Sequence, residues 1–251
     1  MTETAAPWPV LVVSLADAQA RRRALTAQLE ALSIPFRFVD AVDGRNGLAA
    51  RYETMIDRPG TEVQFGRPLA DAEYACALSH LSLYRRIVDE DLPGAIVLED
   101  DARVGPLFAE FLRGRGFEAA DLIQLDHLHG DVWRFGTQTP LTGGIRIVRA
   151  ARNASLTTGY SISRRGAAHI LDHALPLRGP ADWPCDVTAL PAMLALPRVV
   201  DHPRIEPGTS DIEKARASLV TGLPQPRRGL RFFRAAYWRR WWFKRRTRRV
   251  S

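Results

Sequence analysis

The chain has 251 residues, 46% of them apolar, enough to bury one large core or two small ones. Its net charge of +7 is uneven: Arg227 to Arg249 carries 11 Lys and Arg and no acid, so subtracting 11 leaves residues 1–226 at −4, which excludes a nucleic-acid-binding body. No apolar run approaches the roughly 18 residues of a membrane span, and two cysteines, Cys76 and Cys185, are too few for a disulfide framework or zinc knuckle, though a single bridge stays open.

MTETAAPWPV lacks the basic-then-apolar pattern of a secretory signal, which predicts a cytoplasmic protein. VLVVSL (Val10 to Leu15) is a short, continuous apolar run and predicts a strand buried on both faces. DAQARRRALTAQLEAL, with Asp17 as N-cap, sets Leu25, Leu29 and Leu32 at helical spacing. IPFRFVDAVDGR predicts a second strand ending in a turn at Asp43-Gly44. A strand-helix-strand order opens an α/β sheet. Arg45 to Pro68 has little periodicity and reads as a loop with short helical pieces. LADAEYACALSHLSLYRRIVDED predicts a helix stopped by LPG, and AIVLEDD a third strand. DLIQLDHL and GIRIVRA predict further strands, and TTGYSISRRGAAHILDHAL a strand passing into a helix at Ser163. VTALPAMLAL and PRVVDHP complete the body. GLPQPRRG reads as a linker, dividing a domain at residues 1–222 from a tail at 223–251.

The third strand runs into three consecutive carboxylates, Glu99, Asp100 and Asp101. Carboxylates that lose hydration beside a core repel one another, so the run calls for a cation. If residues 95–101 stay extended, Glu99 and Asp101 share a face at the strand's carboxyl end, where open α/β sheets bind ligands. Hard oxygen ligands of this kind suit Mg²⁺ or Mn²⁺, whose shell is commonly completed by substrate phosphates. The alternative is structural: Asp100 or Asp101 caps a turn and Glu99 pairs with an arginine such as Arg103.

AEYACALSHLSLYRRIVDEDLPGAIVLEDDARV resembles the central signature of glycosyltransferase family 25, the lipooligosaccharide and collagen sugar transferases. VVSLADAQARRRAL, FRFVDAVDGR, TTGYSISRRGAAHIL and PADWPCDV are similar to other family segments in the same order, so the resemblance covers residues 9 to 216. It departs from the family at Tyr74-Ala75, where a smaller pair is usual. The resemblance implies a GT-A type nucleotide-diphospho-sugar transferase fold, a mixed sheet flanked by helices, and a nucleotide-sugar donor. Carried over by position, Glu99, Asp100 and Asp101 take the metal and diphosphate role. Asp43 falls at the donor nucleoside, His80, Tyr160 and Ser210 at other substrate-binding positions, and Asp182 at the late Pro-x-Asp.

Sugar transfer needs the leaving diphosphate neutralised and a base to take the acceptor hydroxyl's proton. Asp182 and Asp186 are the base candidates, and the family implies inversion. His202, in VVDHP, stands where a third metal ligand is expected, and Arg21 offers a guanidinium to the donor phosphates. His127 and His129 in DHLHGD have ligand-like spacing but match no motif and read as solvated.

In the tail, cations interleave with Phe232, Phe233, Tyr237, Trp238, Trp241, Trp242 and Phe243. Leu230, Phe233, Tyr237, Trp238 and Trp241 share one helical arc, interrupted by Arg234. The pattern suits an anionic membrane surface, with RNA binding and a disordered tail as rivals. The reading is therefore a metal-dependent glycosyltransferase using Mn²⁺ or Mg²⁺, acting on a lipid-linked or lipopolysaccharide-type glycan at the cytoplasmic face of the plasma membrane. The rival is a non-catalytic GT-A-fold binding module that anchors a glycan-assembly complex.

Overall fold

The computed structural model describes residues 8–203 and 235–250. Ser210 and the expected linker lie outside the described residues.

The first apolar run forms β1 (Val10–Ser14), with every residue buried. It leads into α1 (Gln19–Ala31), whose Leu25 and Leu29 are fully buried. Asp17 does not cap α1. Ala18 holds that place without a side-chain bond, because the Asp17 carboxylate is drawn 2.8 Å from Arg45. β2 (Phe36–Asp40) runs parallel to β1. The polar stretch forms α2 (Ala50–Glu53) and α3 (Arg58–Phe65), then α4 (Asp71–Asp89) follows.

β3 (Gly94–Glu99) is parallel to β1 and precedes α5 (Pro106–Arg113). Next come β4 (Leu122–Gln124), β5 (Asp131–Trp133), β6 (Gln138–Pro140) and β7 (Arg146–Arg149). β8 (Gly159–Ser163) passes into α6 (Arg164–Ala174) at Ser163, whose hydroxyl accepts from Gly166 N at 3.0 Å. β9 (Ala192–Leu196) ends the body, and α7 (Ala235–Arg246) and β10 (Thr247–Arg249) form the described part of the tail.

The eight-stranded mixed sheet has the order β2-β1-β3-β8-β4-β9-β7-β6, and β5 pairs with β10 in a separate two-stranded ribbon. Alternation along the central strands makes two cores. Leu11, Val13, Ala95 and Val97 pack with residues of α4 and α6, whereas Val10, Val12, Ile96 and Leu98 pack with residues of α1 and α5. Ile96 is fully buried between its neighbours, so Ile96→Ala would cost about 2–5 kcal/mol.

Two features set up the end of the sheet. β3 stops at Glu99, whose N–H makes a last bond to Thr158 O at 2.9 Å, and the chain turns, with Ala102 N reaching Glu99 O at 3.1 Å. Residues 95–101 are therefore not extended throughout, and Asp101 joins Glu99 by a turn rather than by strand alternation. Beyond β9, Gly159 admits Val200 against β8, since a Cβ there would lie 2.9 Å from Val200 Cγ1. Asp201 then exchanges backbone bonds with Arg103, Arg103 N to Asp201 O at 2.7 Å and the reverse at 3.0 Å.

Candidate active site

The carboxyl ends of β1 and β3 lie side by side, and this explains how three adjacent acids are tolerated. Asp100 is neutralised locally: Ser14 Oγ donates to its Oδ2 at 2.6 Å and Arg21 Nε pairs with its Oδ1 at 3.0 Å. Arg22 braces Ser14 in turn, Nε to Oγ at 3.1 Å. Glu99 is held from the opposite direction. Thr157 Oγ1 donates to Glu99 Oε1 at 2.6 Å, and His80 Nε2 meets the same oxygen at 3.1 Å. The other nitrogen of His80, Nδ1, lies 2.7 Å from the Tyr160 hydroxyl. Burial raises the Glu99 carboxyl, but the hydrogen bond and field of His80 outweigh it and hold the group below its ordinary value.

Asp101 has no such support. Loss of hydration, then the charges of Glu99 and Asp100, push its carboxyl up to about 7, with Arg21 opposing weakly. The side of the residue open to solvent is where a counter-cation can approach.

A fourth carboxylate joins from a distant part of the chain. The Cys76 thiol is pushed well above its ordinary value by burial and then by the charges of Glu99, Asp182, Asp101 and Asp100. Asp182 accepts from Leu156 N at 3.2 Å. Leu156 has φ 82° and Trp183 φ 62°, so two bulky residues in the left-handed region hold this one carboxylate in place. Asp186 is engaged elsewhere, accepting from Thr188 N at 2.9 Å and Thr188 Oγ1 at 2.7 Å.

Residues 8–187 match the profile of glycosyltransferase family 25 (LPS biosynthesis protein). The chain belongs to this family.

Among family 25 relatives, the chain is 31% identical over 178 residues to a probable inactive glycosyltransferase 25 family member 3 of Bos taurus, covering 67% of this chain and 29% of that protein. It is equally similar, 31% over 178 residues, to procollagen galactosyltransferase 1 of Danio rerio, again 67% of this chain and 29% of the relative. The lacto-N-neotetraose biosynthesis glycosyltransferase LgtB of Neisseria meningitidis is 30% identical over 183 residues, 68% of this chain and 64% of LgtB. The chain thus spans under a third of the animal relatives and just under two thirds of the bacterial one.

Against this family 25 frame, the predicted site residues fall into three groups. Glu99, Asp100, Asp101, Arg21 and Asp182 converge around the ends of β1 and β3. His80 and Tyr160, 2% and 0% exposed, lie behind Glu99. Asp43 is clasped by Arg45, Nε to Oδ1 at 2.9 Å and Nη2 to Oδ2 at 2.7 Å, and its carboxyl is lowered to about 2 by that bond. Asp17, Arg21 and Arg45 line a cleft of about 260 Å³ beside it.

Among the described residues, His202 shares a ligand-type group with Asp126 and Asp201, their donor atoms within 4.8 Å of one another, and not with Glu99. It is tied to the acidic end indirectly, through the Arg103–Asp201 bridge, and its charge contributes to lowering Glu99. Asp126 carries its own counter-charges, His202 Nδ1 at 2.8 Å and Arg198 Nη1 at 3.3 Å. A second ligand-type group, Cys76, His80 and Glu99, suits a metal poorly, because both His80 nitrogens are occupied and the thiol is kept protonated. The hard oxygens of Glu99 and of the uncompensated Asp101 fit Mn²⁺ or Mg²⁺ better.

His127 is not solvated. It is fully buried, with Nε2 3.0 Å from Ala195 O, and burial lowers its pKa. Both cysteines are free. Sequence reasoning missed Thr157, Arg45 and Asp126. The first opens TTGYSISRRGAAHIL, a stretch similar to a family segment, but nothing in that stretch singled it out.

Proposed function

We propose that the chain is an inverting, metal-dependent glycosyltransferase of GT-A type that moves a hexose-type sugar from a nucleotide-sugar donor to a hydroxyl of a lipopolysaccharide-type or related cell-surface glycan. The observation that carries this reading is the acidic end of β3, where Thr157 and His80 hold Glu99, Ser14 and Arg21 hold Asp100, and Asp182 is bonded to Leu156 next to Thr157, in a chain of family 25. In this reading Glu99 and Asp101 would hold Mn²⁺ or Mg²⁺, and His202, which groups with Asp126 and Asp201, would have to reach the ion with the nitrogen that Asp126 does not occupy. The bound ion supplies Lewis acidity toward the charge on the leaving diphosphate.

The remaining work belongs to the chain's own side chains. His80 and Thr157 fix the Glu99 carboxylate, while Arg21 neutralises Asp100 and leaves donors free for a phosphate. Asp43 and Arg45 border the donor nucleoside, and Ser210 its diphosphate. Asp182 takes the proton from the acceptor hydroxyl as that oxygen bonds to the anomeric carbon and the bond to the diphosphate oxygen breaks. Asp186, whose carboxylate is spent on Thr188, is the weaker base.

The described part of the tail supports peripheral attachment to an anionic membrane from the cytoplasmic side, with residues 1–222 as the catalytic unit and 223–251 as linker and anchor. Trp238, Trp241 and Trp242 are exposed on α7, and Arg245 and Arg246 stack over Trp241 and Trp242 at 4.1 and 4.0 Å. Among the described residues no helix is long and apolar enough to cross a membrane.

The likeness to a relative named as probably inactive favours keeping one second reading, a sugar-nucleotide-binding module without turnover. Hydrolysis of UDP-, GDP- and CMP-sugars with and without Mn²⁺ decides between them. Metal-dependent turnover of one donor is expected, and none with any donor would establish the module.

A further inference from the structure

A cleft of about 470 Å³, bordered by the residues that follow Asp182, lies in the size range of small-ligand sites. It is lined among others by Gln64, Arg152, Asn153, Trp183, Asp186 and Thr188. We infer that this cleft is the acceptor subsite, binding the terminal saccharide of a glycan. The inference rests on the glycosyl-transfer reading above.

Position comes first. Trp183 is the partition between the two regions. Its ring meets Tyr160 edge-on at 5.3 Å, and Tyr160 backs His80 and Glu99. The preceding residue, Asp182, accepts from Leu156 N, next to the Thr157 that holds Glu99, so it connects the cleft wall at Trp183 to the acidic end.

Rigidity is the second point. Asn153 staples one wall to the other, Nδ2 to Cys185 O at 2.8 Å and Val187 N to its Oδ1 at 3.1 Å. Trp183 Nε1 donates to Ala154 O at 3.1 Å. Both walls are therefore set before any ligand arrives, which reduces the ordering cost of binding. Asn153, Asp186 and Thr188 are spent on the bonds that set the walls, so the N–H groups of Arg152 beyond its pair with Asp131 and the carboxamide of Gln64 are the groups that suit sugar hydroxyls.

Placement relative to the tail is the third. Arg152 lines the cleft while ion-pairing with Asp131, and its guanidinium lies 5.6 Å from the Phe243 ring of α7. The cleft consequently adjoins the element that carries the exposed tryptophans, as a glycan held on a lipid requires.

The test follows the Trp183 indole N–H by NMR in the ¹⁵N-tryptophan-labelled full chain, assigned with Trp183→Phe. The probes are methyl glycosides of glucose, galactose, N-acetylglucosamine and heptose. At least one is expected to shift the Trp183 signal. Gln64→Trp, which fills the cleft from an exposed helical position and keeps the melting temperature, is expected to weaken that titration by about tenfold or more. No shift with any glycoside, or a titration unchanged in Gln64→Trp, would overturn the assignment. If donor hydrolysis persists in that case, only the subsite falls. If Trp183 titrates as expected while no donor is hydrolysed, the cleft binds saccharide but not as an acceptor subsite, and the glycosyl-transfer reading falls with that assignment.

Discussion

His202 Nδ1 lies 2.8 Å from Oδ2 of Asp126, a carboxylate with no exposed side-chain surface. A buried acid behind one imidazole nitrogen orients the other nitrogen and raises its basicity, the arrangement that supports a metal-binding histidine. His202→Ala is expected to weaken Mn²⁺ binding, measured by the EPR signal of free Mn²⁺. Asp126→Asn should weaken it by about tenfold to a hundredfold, with no added loss in the double variant. Additive losses would mean that Asp126 serves Arg198 alone.

The Tyr160–His80–Glu99 chain leads to a second expectation. Tyr160→Phe removes the partner of His80 Nδ1 in a site without water access, at a cost of about 1–2 kcal/mol in urea unfolding. Because Glu99 then loses its fixed orientation, kcat should fall about tenfold with donor KM little changed. An unaltered kcat would show that the chain is structural only.

Asp182 and Asp186 are separable by kinetics. Asp182→Asn should lower kcat by about a hundredfold or more while donor KM stays near wild type. Asp186→Asn should lose only its capping bonds to Thr188, about 1 kcal/mol of stability. The reverse pattern would exchange their roles.

The end of β8 sets an acid limit on stability. Burial raises the Asp121 carboxyl, but hydrogen bonds from Arg165 and Ser163 more than reverse this and hold it below its usual value. A carboxyl lowered in the folded state stabilises the fold above its unfolded pKa of about 4, and that contribution disappears as pH falls through the folded value. Urea midpoints of the wild type should therefore drop more steeply below about pH 4 than those of Asp121→Asn. Parallel curves would refute this.

Much of the fold was legible because local chemistry agrees with global packing. Val10 to Val13 and Ala95 to Leu98 are apolar on both faces because helices cover both faces. Ser163 marks its strand-to-helix junction because a hydroxyl there satisfies Gly166 N. What stayed hidden depends on pairing between distant segments. Asp17 looks like a cap until Arg45 is brought beside it, and Asp126 is one acid within the predicted strand DLIQLDHL until His202 and Arg198 close over it. The turn at Asp100 could not be read from a strand pattern, since the pull of Ser14 and Arg21 on its side chain comes from β1 and α1.

The tail offers its own test. Replacing exposed Trp238, Trp241 and Trp242 with Ala should lower affinity for phosphatidylserine vesicles by about tenfold or more at moderate salt, read by co-sedimentation. Unchanged sedimentation would refute membrane attachment through α7.

β10 pairs antiparallel with β5, register Thr247 to Trp133 and Arg249 to Asp131. The end of the chain is therefore clamped to the body, so α7 acts as a bracket and not a leash. Were the proposed membrane attachment through α7 to hold, such a bracket would fix the height of the acidic end of β3 above the lipid.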